Sequence, residues 1–162
     1  MLYTNKKCHC HYQDSERRIL ISDFGFSKPI TPGIPSGRGG STGYRAHELL
    51  KSKEYSDKTD VWAFGCMIMD VATTGRQRAF HDDDEASNYG KGESSLPKLK
   101  SSDNPELDDS VLDHLNFLME SCFQKDPNDR PTALELLESM QEKWGRFGWV
   151  TLESVKDLRD NY

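Results

Sequence analysis

A chain of 162 residues, 35% hydrophobic and 30% charged, fits one globular domain and excludes an assembly of several. A formal net charge of −6 argues against nucleic acid or an anionic membrane surface as a partner. No signal-peptide core follows Met1, no run reaches the length of a membrane span, and four thinly spread cysteines read as reduced, so the expected location is intracellular, in cytoplasm or nucleus.

In chain order, Met1 to Thr4 and Arg18 to Ser22 read as two short strands joined by a polar turn. Within that turn Cys8-His9-Cys10-His11 offers zinc-type ligands. Four consecutive residues can hardly all face one tetrahedral ion, and a hairpin sends alternate side chains to opposite sides, so a polar turn is the stronger reading. A zinc module would require stoichiometric metal in the purified protein.

The apolar run Ile19-Leu20-Ile21 ends in Ser22-Asp23-Phe24-Gly25. Pro29 to Gly40 then carries three Pro and four Gly, which cannot hold regular structure. After Gly40-Ser41-Thr42-Gly43-Tyr44-Arg45-Ala46-His47-Glu48 comes Asp60 to Thr73, apolar nearly all round, a helix that must be surrounded by protein. Arg76 to Leu107, with its acidic Asp82-Asp83-Asp84-Glu85, reads as exposed loop.

Val111, Leu112, Leu115, Leu118, Met119 and Cys122 fall at helical spacing. A second amphipathic helix uses Leu134, Leu137 and Met140, and Thr132-Ala133-Leu134-Glu135 is a capping box at its start. Cys66 and Cys122, on apolar helical faces, read as small hydrophobes. The tail mixes Trp149, Val150, Leu152, Val155 and Leu158 with charges, a pattern for a packing or partner-binding helix.

Four ordered stretches, Ile19 to Gly25, Gly40 to Glu48, Ser56 to Gly65 and Cys122 to Thr132, resemble the larger lobe of eukaryotic-type protein kinases, more the serine/threonine than the tyrosine kind. The resemblance covers about Ile19 to Met140. It implies a mainly α fold, a kinase C-lobe fragment in which a short β-hairpin leads into the activation segment and a helical bundle. Residues 1–145 would be this partial domain and residues 146–162 a helical tail.

The resemblance also implies roles. Asp23 would hold Mg²⁺ bridging the phosphates of ATP, making it the cofactor and metal residue. Alone, without a nucleotide pocket, one carboxylate should bind Mg²⁺ no better than about millimolar, roughly −4 kcal/mol. Phe24 and Gly25 would form the switch between active and inactive arrangements, and Ser41, Thr42 and Tyr44 would belong to the activation segment. Ser41 matches the hydroxyl that serine/threonine kinases place near the catalytic Asp. Thr31, Ser36, Ser41 and Thr42 are candidates for phosphorylation, although the catalytic-loop Arg that would receive a phosphate is not in the sequence.

Glu48 would pair with Arg130, Asp60 would anchor the catalytic loop, and Trp62 would lie in the central buried helix. The family usually has Pro before that Glu, whereas this chain has His47, a departure that frees a backbone N–H and loosens the turn.

The Gly-rich loop, the ATP-positioning Lys, its Glu partner and the catalytic loop all precede Asp-Phe-Gly in the family, and none is in this sequence. No catalytic residue is therefore assigned. Met1 reads as an internal methionine used as the start of a truncated gene model, a split gene or a short isoform.

The expected function is a portion of an ATP-dependent kinase that phosphorylates protein Ser/Thr hydroxyls when complete. Alone it should be inactive and bind neither Mg²⁺ nor ATP tightly. The alternative is a non-catalytic, pseudokinase-derived binding module. Expected partners are a protein substrate or partner protein, and a missing smaller lobe or a chaperone.

Overall fold

The computed structural model describes residues 2–4, 18–20, 24–27, 39–52 and 55–145. Strand β1 (Leu2–Thr4) pairs antiparallel with β2 (Arg18–Leu20), Leu2 opposite Leu20 and Thr4 opposite Arg18. A 3₁₀ turn follows at Phe24–Phe26, closed by Ser27 N–H donating to the Phe24 carbonyl at 3.0 Å. Five α-helices make up most of the remainder of the described chain: α1 (His47–Lys51), α2 (Asp57–Ala72), α3 (Asp83–Lys91), α4 (Asp109–Cys122) and α5 (Ala133–Trp144). Cys8 to His11 and the tail 146–162 lie outside the described residues.

Helix α2 is the hub because its apolar residues occupy more than one face. Trp62 is 0% exposed, its ring stacked on Phe80 at 5.1 Å and met edge-on by Phe123 at 5.0 Å and His47 at 5.4 Å. Such aromatic contacts add to the area buried because ring edges carry positive charge and ring faces negative charge. Gly65 lets α2 and α4 approach closely: a Cβ there would lie 2.8 Å from the Cys122 Cβ and 3.0 Å from the Phe123 ring. Cys66 and Cys122 are buried free thiols, and burial pushes both upward in pKa, Cys122 to about 12. They are inert packing groups.

The solvent-facing side of α2 is less covered than its composition suggests, since Val71 is 67% exposed. On α4 the fully buried residues are Leu112, Leu118, Met119 and Cys122, with Val111 and Leu115 half-buried. On α5 the buried residue is Leu136, while Leu134, Leu137 and Met140 are half-buried. The Thr132 hydroxyl accepts from Glu135 N–H, and the Glu135 carboxylate accepts from Thr132 N–H at 2.6 Å, so the capping box is closed in both directions.

The stretch from Arg76 to Leu107 corrects the exposed-loop expectation. Its acidic cluster is the start of α3: the Asp82 carboxylate accepts Glu85 N–H at 2.9 Å, and the Glu85 carboxylate reaches back to His81 N–H at 2.8 Å. Negative charge is favourable there, because the unpaired N–H groups and the helix dipole make the N-terminus positive. Gly92, with φ +84°, ends the helix in the left-handed conformation that glycine adopts without a Cβ penalty.

Flanking this helix, Phe80 and Leu99 are buried. Asn116 fixes Leu99 by exchanging hydrogen bonds with its N–H and carbonyl at 2.8 and 3.0 Å. Asn104 likewise donates to the Ala72 carbonyl at the end of α2 at 2.8 Å. With these backbone groups satisfied, the loop can lie against the core.

Candidate functional site

The segment Gly39–Ala46 runs into α1 and is held at four points. Tyr55 OH donates to the Gly39 carbonyl at 2.7 Å. The Arg45 guanidinium caps the Gly40 carbonyl at 2.5 Å and pairs with Asp83 of α3 at 2.6 Å. Tyr44 OH donates to Asp70 near the end of α2, a bond that, with burial, raises the phenol pKa to about 12. Arg78 lies 5.9 Å from the centre of the same ring, within cation–π reach. Gly43 has φ +82°, and a Cβ on it would fall 2.6 Å from the Phe80 carbonyl, so both conformation and space require glycine.

At the next turn Glu48 and Arg130, 82 residues apart, meet in a fork. Arg130 Nη1 and Nη2 reach the two carboxylate oxygens at 2.6 and 2.8 Å. Arg130 is 2% exposed; Nε donates to the Gln124 carbonyl at 2.9 Å and Nη1 also to the Lys58 carbonyl at 2.9 Å, with the Trp62 ring at 4.9 Å. A buried guanidinium needs this many acceptors to offset its lost hydration. The pair joins the far end of the segment to α2 and to the connection between α4 and α5.

His47 does not loosen this turn. The imidazole is buried, bonds through Nε2 to the Lys125 carbonyl at 2.8 Å, and fills the space between Trp62 and Gly90. Volume and a hydrogen bond supply the restraint that a proline ring would otherwise give the backbone.

Ser41 and Thr42 are exposed, and Tyr44 is half-buried. Asp60 stands in the first turn of α2, where no hydrogen bond reaches its carboxylate among the described residues. Partial burial, then repulsion from Asp57, raises its pKa. Asp60 lines an open cavity of about 310 Å³ together with Gly39, Ser41, Tyr44, Tyr55 and Thr59. Phe24 is 66% exposed and Gly25 is exposed. Asp23, Thr31 and Ser36 lie outside the described residues. No cluster of three or more metal-ligating side chains occurs among the described residues, and no described helix is long and apolar enough to cross a membrane.

Asp70, Asp83 and Tyr55 were not singled out from the sequence. For Asp70 a signal existed: it is the acid inside the apolar stretch of α2, and a charge there calls for a partner. Asp83 and Tyr55 gave none, because their partners lie across the fold.

The family model described as "Protein kinase domain" matches residues 10–144. Human serine/threonine-protein kinase Nek11 is 29% identical over 143 residues, 83% of this chain and 21% of that protein. The dual specificity protein kinase shkE of Dictyostelium discoideum is 30% identical over 131 residues, 78% of this chain and 18% of its own length. The mitogen-activated protein kinase kinase kinase YODA of Arabidopsis thaliana is 30% identical over 128 residues, 77% of this chain and 14% of its length. The chain thus spans about a fifth or less of these relatives.

Proposed function

This chain belongs to the protein kinase family, and we propose that it is the substrate-positioning part of a serine/threonine kinase whose complete domain moves a phosphoryl group from Mg-ATP to a protein hydroxyl. The observation that carries this reading is the bidentate Glu48–Arg130 pair, which clamps the end of the Gly39–Ala46 segment onto the helical bundle. Correct placement of reactants accounts for about 7–11 kcal/mol of catalysis, and a clamped loop beside an open cavity is what a docking protein segment requires. Ser41, at the position where serine/threonine kinases carry a hydroxyl, supports a Ser/Thr substrate class.

Membership implies ATP and Mg²⁺ for a complete domain. In this chain Asp23 is the residue proposed to hold the metal, as a hard oxygen ligand suited to Mg²⁺. Asp60 is proposed to receive the backbone of the catalytic loop, for which its carboxylate is free among the described residues.

The ATP-gripping residues and the catalytic Asp are not among the 162 residues, so the purified chain should transfer no phosphate. Transfer to any protein substrate in Mg-ATP by this chain overturns that. Extending the chain upstream in its reading frame through a catalytic loop should restore transfer to Ser or Thr, and Ser41→Ala should then lower it. A stop codon in that frame instead favours a kinase-derived binding module.

A further inference from the structure

His47 sits where three elements meet. It opens α1, its ring faces Trp62 of α2, and it contacts Gly90 of α3 so closely that a Cβ there would lie 2.4 Å from Nδ1. Nε2 is 2.8 Å from the Lys125 carbonyl, and because a carbonyl only accepts, Nε2 carries the hydrogen and Nδ1 the bare lone pair. Nδ1 is buried and has no hydrogen-bond partner among the described residues.

A proton added at Nδ1 would find no acceptor among the described residues. On α1, Glu48 is 3.7 Å from Nε2, but both of its oxygens are engaged by Arg130, and Lys51 is a further positive group. From the segment before α5 comes Arg130 itself. On α2 the facing side chain is the uncharged Trp62. On α3 the neighbour is Gly90, while the adjacent Tyr89 hydroxyl donates to the Phe123 carbonyl at 3.0 Å and carries the Lys125 ammonium 5.6 Å over its ring. An imidazolium would face two positive groups and one negative group already in use.

We propose that His47 is a proton-operated latch: neutral, it holds α1 against α3, and protonated at Nδ1 it lets α3 move away and so loosens the Gly39–Ala46 segment. The mechanical link is Asp83 at the start of α3, which holds Arg45 at 2.6 Å and lies 3.5 Å from Gly43 N–H. Burial keeps the imidazole pKa below its ordinary 6.5, so the latch is shut at neutral pH and opens only below that value. The device goes beyond phosphoryl transfer and operates whether or not the chain takes part in it.

The test uses the full 162-residue chain, following side-chain nitrogen resonances and backbone amide exchange, corrected for chemical exchange rates, from about pH 7.5 to about pH 5. At neutral pH, His47 Nδ1 should resonate as an unprotonated ring nitrogen and Nε2 as a protonated one. Below the ordinary imidazole value of 6.5, and until His47 is protonated in the closed state, protection of Asp83–Lys91 and Tyr44–Ala46 should fall by up to about tenfold per pH unit. His47→Gln keeps a donor for the Lys125 carbonyl but cannot titrate, so the variant should lose the His47 part of this fall and keep only what His114 contributes. A protonated Nδ1 at neutral pH, protection indifferent to His47 titration, or the same loss in His47→Gln each overturns the latch. Should the variant not fold, the wild-type nitrogen titration set against α3 exchange decides alone. Kinase activity is not read, so this outcome and that of the phosphoryl-transfer reading remain separate.

Discussion

The Arg130 guanidinium donates four hydrogen bonds, two of them to the Glu48 carboxylate, and none of its face is left to water. Removing one partner strands a buried charge, so Arg130→Met or Glu48→Gln should each lower stability by about 3–5 kcal/mol in urea unfolding. The double variant should lose much less than the sum, because no charge is then unpaired. Arg130→Lys should not rescue, since an ammonium cannot form the fork. Glu48 and Arg130 were legible as partners only because the surrounding motifs resemble a family in which they pair. Tyr44 with Asp70 and Arg45 with Asp83 were not, because nothing local relates residues 26 or 38 positions apart before the helices pack.

At the scale of elements, α3 shows what periodicity misses. Of its nine residues only Ala86 and Tyr89 are buried, too few to draw an apolar stripe, and its acidic first turn resembles solvated loop. The signal lay in Asp82 followed three residues later by Glu85, a helix-start pattern that the charge run disguised. Asp82→Ala should cost about 1 kcal/mol and raise amide exchange through α3 before the rest of the molecule. Where α2 crosses α4, Gly65→Ala gains up to about 1 kcal/mol in helix propensity but forces a Cβ into Cys122 and Phe123. Because that approach involves a ring and a second backbone-proximal carbon, a net loss of about 1–3 kcal/mol is expected in a thermal melt.

For the whole molecule, Trp62 joins α1, α2, α3 and the Arg130 segment in one cluster, so its loss should propagate. Trp62→Ala should remove about 3–5 kcal/mol, a large part of the ~5–15 kcal/mol typical of a domain, and abolish a single cooperative transition by circular dichroism. Burial also lowers the pKa of His47 and His114, the latter ring edge-on to Trp144 at 4.7 Å. Each binds fewer protons native than unfolded, so stability rises with pH. This contribution is whole above the ordinary imidazole value of 6.5 and is lost as pH falls below it through the lowered native values. Urea midpoints should therefore fall from about pH 8 to about pH 5, and His47→Gln with His114→Gln should flatten the curve.

By itself the sequence determined what local chemistry can encode: the capped start of α5, the apolar rod around Trp62, and the four motifs in order. Turn residues, caps and helical spacing act within a few residues, so they can be read along the chain. Only the tertiary structure decided that the acidic run caps a helix which grips Arg45, that Asp70 receives Tyr44, and that His47 fills the space Gly90 leaves open. Those contacts join residues brought together by burial around α2, and burial depends on every surface that packs there at once.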